Sequence, residues 1–170
     1  MTNKSFLKSL MITAVILVFL NTKIQGQNVG EYQALYIYNF TKYIQWPNAN
    51  QELVIGVLGS GTVDKALQKM VDSKGSNKLK LIKLTSNDNL SDCNIIFLAK
   101  NQDKNLELVL EKTKGKSVLI ISESEGLAQK GAGISFFLEG NKLKFTINKA
   151  AVEERQMKIS SNLLVLAKVI

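Results

Sequence analysis

The strongest constraint on this chain is a rhythm of short apolar runs separated by amphipathic stretches. ELVIGVLG, residues 52 to 59, is rich in branched apolar residues, and TVDKALQKMV, residues 62 to 71, repeats Val63, Ala66, Leu67 and Met70 at helical spacing. LKLIKL (79–84), NIIFLA (94–99) and SVLIIS (117–122) read as further strands, with LELVLEKTK (106–114) as a helix before the last of them. NIIFLA is almost wholly apolar, as expected of a strand covered on both faces inside a parallel sheet. ISFFLEGNKLKFTIN (134–148) then reads as two strands joined by a Gly-Asn turn. Strands that alternate with helices and end in a hairpin predict an α/β single domain, with a mixed sheet of about six strands flanked by helices. Asn148 is placed to cap a short helix over Lys149 to Arg155. A final helix is expected after Ser160, with Ile159, Leu163, Leu166 and Ile170 on one stripe. The strand order does not follow from the pattern.

The first residues belong to a different problem. MTNKSFLKS carries Lys4 and Lys8 and no acid, and LMITAVILVFL follows from Leu10 to Leu20. A run of about 11 apolar residues suits the h-region of a signal peptide and is too short for a bilayer of about 30 Å. Gly26 offers a small residue at the cleavage position. Residues 1–26 are therefore expected to be a signal peptide and residues 27–170 an exported, periplasmic domain with no stable membrane insertion after cleavage. An uncleaved anchor is the alternative. Losing Lys4, Lys8 and Lys23 lowers the formal net charge of +8 to +5. The remaining lysines, such as Lys80, Lys83, Lys100 and Lys116, are scattered rather than grouped. A solvated surface explains them, and nucleic acid is not expected as a partner.

Much chemistry is excluded by what is missing. The chain has no histidine, which removes the commonest general base, the Ser-His and Cys-His systems and the usual transition-metal ligand. Cys93 is the one cysteine, so no disulfide can form within the chain. At the start of an apolar strand it reads as a small buried hydrophobe, with a reactive thiol or an intermolecular bridge as the alternatives. No cofactor, metal site or catalytic residue is expected.

Two stretches still tempt a site assignment. VLGSGTVDKAL sets Gly59, Ser60, Gly61 and Thr62 between a strand and a helix, where backbone N–H groups can hold an anion. The dinucleotide fingerprint wants a third small residue where Asp64 stands, and no Gly-Lys-Ser/Thr is present. A plain turn is favoured, with a weak anion site over Gly59 to Thr62 as the alternative. ISESEGLAQKGAG carries Glu123 and Glu125 on a loop after a strand. It lacks a nucleophile elbow, and its carboxyls suit solvent as well as acid–base work.

EYQALYIYNFTKYIQWP, residues 31 to 47, holds all four tyrosines, the one tryptophan and the one proline. It reads as a helix from Gly30 to Gln45, stopped because the residue before Pro47 disfavours the helical conformation. At 100° per residue, Tyr36, Ile37, Phe40, Tyr43 and Ile44 share an arc of about 120° and are expected in the core. Leu35, Tyr38 and Trp46 fall on the other side, among Asn39, Lys42 and Gln45. That is more apolar surface than one inward face can bury. Either a second element, such as the C-terminal helix, covers the back, or the surplus meets a partner. Leu35, Tyr38, Asn39, Lys42 and Trp46 form the candidate partner surface, with Tyr38 and Trp46 as anchors.

Three stretches also resemble the YfiR family of exported bacterial proteins. ALYIYNFTKYIQWP resembles its opening helix at Ala34, Tyr36, Tyr38, Asn39, Phe40, Lys42, Trp46 and Pro47, with Tyr43 in place of the usual Phe. SESEGLAQKGAGISFFLEGNKLKFTIN is similar at Gly126, Ala128, Gly131, Ile134, Phe136, Phe145, Ile147 and Asn148, and departs at Leu127, where a Phe is common. MKISSNLLVLAK is similar at Lys158, Ile159, Ser160, Ser161, Leu163, Leu164, Leu166 and Ala167. The resemblance implies a non-catalytic periplasmic regulator, often a homodimer, that binds the periplasmic sensor part of a membrane diguanylate cyclase and holds it inactive. Other members serve other membrane signalling receptors. The disulfides of the best-known relatives do not carry over to a chain with one cysteine.

Overall fold

The computed structural model describes residues 26–47, 52–74 and 79–170. Residues 1–25 of the expected signal peptide lie outside these residues, while Gly26 is described, and so do residues 75–77 of SKGSN (73–77), a stretch that reads as a turn. Helix α1 (Gly26–Tyr43) leads into strand β1 (Ile44–Gln45). Then come β2 (Leu53–Leu58), α2 (Thr62–Lys74), β3 (Leu79–Leu84), β4 (Ile95–Leu98), α3 (Leu106–Lys112) and β5 (Leu119–Ser122). The hairpin β6 (Ile134–Glu139) and β7 (Lys142–Ile147) precedes α4 (Lys149–Glu154), β8 (Lys158–Ile159), α5 (Ser161–Leu166) and β9 (Lys168–Val169). Among the described residues no helix is long and apolar enough to cross a membrane.

The main sheet has seven strands in the order β3-β2-β4-β5-β6-β7-β9. Every neighbouring pair is parallel except β6 and β7. The apolar runs explain this arrangement. In β4, Ile95 and Phe97 enter one core cluster while Ile96 and Leu98 enter another. In β5, Leu119 and Ile121 join the first and Ile120 the second. A strand's side chains alternate between faces, so an unbroken apolar run feeds both cores. Helices α1 and α2 cover one face through Ile37, Phe40, Val63 and Leu67, and α3 covers the other through Leu106 and Val109. Two glycines permit close approach. A Cβ on Gly30 would lie 2.4 Å from Thr62 Oγ1 at the start of α2, and one on Gly56 would lie 2.2 Å from Leu84 Cδ1.

Two local expectations hold for their stated reasons. Gly140 takes φ +59° in the hairpin turn. The Asn148 side chain accepts the Ala151 N–H at 2.9 Å and caps α4.

The chain's last segment departs from the helical expectation. Helix α5 stops because Ala167 is extended, at φ −102° and ψ 155°. Lys168 and Val169 then pair with Thr146 and Ile147 and form the seventh strand. The expected stripe does not exist: Leu163 is buried, Leu166 is 67% exposed and Ile170 43% exposed.

Helix α1 also ends earlier than expected, at Tyr43. Ile44 and Gln45 become extended and pair antiparallel with Ile159 and Lys158. The Ser160 N–H donates to the Tyr43 carbonyl at 2.9 Å, docking the C-terminal segment beneath the helix end.

Candidate functional site

The early end of α1 redistributes its aromatics. Tyr36 and Phe40 stack with ring centroids 6.2 Å apart, and both meet Phe136 and Phe145 of the hairpin. Trp46 does not point outward. The helical projection fails there because the chain is extended by Ile44, and Trp46 is 6% exposed. Its Nε1–H donates to the Asn94 carbonyl at 3.3 Å, while Asn94 Oδ1 accepts the Val54 N–H at 2.8 Å. Trp46 is thus packed where β2 and β4 begin. Tyr43, expected in the core, is 41% exposed.

The other expected partner residues remain on one side of α1. Leu35 is 45% exposed, Lys42 is exposed and Asn39 is half-buried. Tyr38 is half-buried against the core, with Lys42 Nζ 4.4 Å from its ring centroid. Tyr32 and Tyr43 join this side. At 100° per residue Tyr32, Leu35, Asn39, Lys42 and Tyr43 fall within an arc of about 100°. Beside them a groove of about 310 Å³ runs between α1 and α2, with Leu35 facing Ala66 and Met70.

The Gly59–Thr62 loop is formed as expected but is already used. Gly59 takes φ +102°, a conformation that favours glycine, and Thr62 opens α2. Asp64 Oδ1 accepts the Gly61 N–H at 3.4 Å, and its Oδ2 lies 3.7 Å from Lys83 Nζ. A carboxyl group of the chain itself therefore sits at the helix start, where an incoming phosphate would be repelled.

A second loop at the same end of the sheet is different. A cleft of about 580 Å³ opens at the carboxyl ends of β4 and β5, beside the projecting part of β6 and beneath the first turns of α1. The crevice outside the carboxyl ends of parallel strands is the usual ligand position in α/β sheets. Glu123 Oε2 accepts the Lys100 N–H at 2.8 Å, tying the loop after β5 to the turn after β4. Ser122 Oγ donates to the Ser124 carbonyl at 2.9 Å and accepts the Ser124 N–H at 3.0 Å, which fixes the bend. Glu125 completes this rim. The floor is apolar, through Phe136 and Leu143, and Gln33 of α1 forms part of the roof. Sequence reading weighed Glu123 and Glu125 but missed Gln33. The available signal was a polar residue on the inward stripe of α1, one turn before Ile37 and two before Phe40.

The family model described as YfiR/HmsC-like, DUF4154, matches residues 30–168. The chain belongs to the YfiR/HmsC-like family. The match contains all three stretches that carry the resemblance. No curated protein matches the chain at a significant level. Two solved structures share the fold of this YfiR/HmsC-like domain. One, from Streptococcus pneumoniae, is an ABC domain in complex with L-Trp, 15% identical with a TM-score of 0.61. The other is a conserved domain protein of Vibrio cholerae O1 biovar El Tor, 14% identical with a TM-score of 0.60. Each alignment covers 83% of this chain and 60% of the other, so the YfiR/HmsC-like chain spans less than two thirds of either neighbour.

Cys93 of the YfiR/HmsC-like domain is buried as a small core residue. Burial, and to a lesser extent the nearby Asp92 charge, push its thiol up to about 11. The thiolate is the reactive form, so this environment disfavours redox chemistry at Cys93.

Proposed function

We propose that the protein is a non-catalytic exported regulator that binds the periplasmic sensor part of a membrane signalling protein of the diguanylate cyclase type and holds it inactive. The outer face of α1 is the contact surface, built on Leu35, Asn39 and Lys42 with Tyr32 and Tyr43, and flanked by Tyr38. What supports this reading is an exposed apolar and aromatic face beside the α1–α2 groove, in a chain of a family not known as enzymatic. Tyrosine is the residue type of this face that contact surfaces favour, and Leu35 adds apolar area. The short h-region and Gly26 support export through cleavage of residues 1–26.

Affinity-tagged protein recovered from the envelope fraction tests the proposal. It is expected to retain a membrane signalling protein, and loss of the chain is expected to raise cellular cyclic dinucleotide. Recovery without any membrane protein, together with unchanged cyclic dinucleotide, would contradict it.

A further inference from the structure

We propose that the cleft at the carboxyl ends of β4 and β5 binds a small organic cation, a protonated amine joined to an apolar group. The inference stands apart from the α1 partner surface and uses none of its residues.

The first observation is Gln33, which is 2% exposed while its Oε1 has no hydrogen-bond partner. An apolar residue would serve the inward stripe of α1 as well, and a buried unpaired carbonyl costs about 1–3 kcal/mol. Asp103 Oδ1 and Ser124 Oγ are likewise buried atoms without a partner, on side chains that are half-buried. These are the buried side-chain polar atoms without a partner among the described residues, and all of them belong to this one cleft. They come from three separate segments: α1, the turn after β4 and the loop after β5. Atoms left open by chance would be spread over the molecule.

The chemistry of these atoms selects the ligand. The Gln33 amide oxygen and the Asp103 carboxyl oxygen accept, and the Ser124 hydroxyl can do so. An acceptor set requires a donor, and a protonated amine supplies up to three N–H groups and no acceptor. Charge points the same way. Asp103, Glu123 and Glu125 face one Lys100 in the cleft of a chain whose formal net charge is +8. A metal ion fits less well. Among the described residues no group of carboxyls or thiols is arranged to hold one. The aromatic and aliphatic wall of Phe136, Phe137, Leu138 and Leu143 would instead cover an apolar body attached to the amine. The volume, about 580 Å³, lies within the range of small-molecule sites.

Phenethylamine and 3-phenylpropionate share a ring and a short chain and carry opposite charges. Titration of each into the protein as purified from cells, followed by calorimetry and by amide NMR shifts, tests the proposal. Phenethylamine is expected to bind and to shift amides at Gln33, Lys100 and Ser124, while 3-phenylpropionate leaves them in place. Gln33→Met and Asp103→Asn should each weaken phenethylamine by about fivefold or more, the scale of one hydrogen bond. Glu107→Gln, on an exposed part of α3, should leave binding unchanged. Gln33→Met should melt no lower than the unmodified chain, so lost binding would not be lost folding. If that variant fails to fold, Asp103→Asn decides. Absence of phenethylamine binding, equal binding of 3-phenylpropionate, or a Gln33 oxygen met by ordered water alone would overturn the inference. A failed recovery of a membrane partner bears on the α1 face and leaves this titration intact.

Discussion

The inward and outward faces of α1 share one backbone and nearly equal numbers of large apolar residues, yet they meet opposite environments. Inward, Ile37 and Phe40 are buried against the sheet, and Tyr36 closes an aromatic group with Phe136 and Phe145. Outward, Tyr32, Leu35 and Tyr43 keep 40%, 45% and 41% of their surface. The difference arises in what the rest of the chain brings, since helical periodicity alone treats both sides alike. The hairpin and the sheet fill the inner side, and α2 crosses at Gly30 on the flank. Leu35 faces Ala66 and Met70 of α2 across the groove and is otherwise left to solvent.

Substitution can break or sharpen this contrast. The largest effect is expected from Phe40→Ala, which should destabilise the domain by about 3–5 kcal/mol in a denaturant melt, the range for buried aromatic truncation. A loss below 1 kcal/mol would show that the aromatic group does not hold α1 to the hairpin. Trp46→Ala comes next, at about 3 kcal/mol, because it removes a buried ring and the hydrogen bond to Asn94. An unchanged melting temperature would place Trp46 back on the outer face. Asp64→Ala should cost about 0.5–1 kcal/mol by freeing the Gly61 N–H and removing a favourable charge at the start of α2. The Lys83 ion pair adds little, since that lysine is 81% exposed. The smallest change in stability belongs to Leu35→Ala and Tyr43→Ala, within about 0.5 kcal/mol. Their expected effect is on retention of the membrane partner, weakened by about 2 kcal/mol if they are anchors. Variants that melt early would assign these side chains to the core.

The sheet shows a parallel contrast between its two post-strand loops. After β2 the glycine loop is satisfied by Asp64 of its own helix. After β5 the loop ends in a cleft lined by three residues whose buried polar atoms have no hydrogen-bond partner. The glycine motif drew attention in the sequence because glycine spacing is visible there. The open cleft was not visible, because Gln33, Asp103 and Ser124 lie far apart along the chain and only the strand order assembles them.

The α/β class and the burial of β4 on both faces were legible because periodicity and apolar runs are local signals. So were the Gly140 turn and the Asn148 cap. What failed depended on contacts from elsewhere. Trp46 was misplaced because β8 pairs with Ile44 and Gln45 and ends the helical projection at Tyr43, whereas Tyr43 itself lies at the border between the inward and outward arcs. The last helix was overextended because Lys168 and Val169 find a partner in β7, and pairing with an edge overrides local helix preference. Leu35 was placed outward and is outward, since it lies at mid-helix where the projection is reliable.

The outer face of α1 is tested most directly by a photo-crosslinking residue in place of Leu35, with the same residue in place of Glu107 on α3 as reference. Illumination of living cells is expected to join the Leu35 position to a membrane signalling protein and to leave the Glu107 position free. A Leu35 position that joins nothing, or joins only a second copy of the chain, while Glu107 captures a membrane protein, would contradict the assignment of this face.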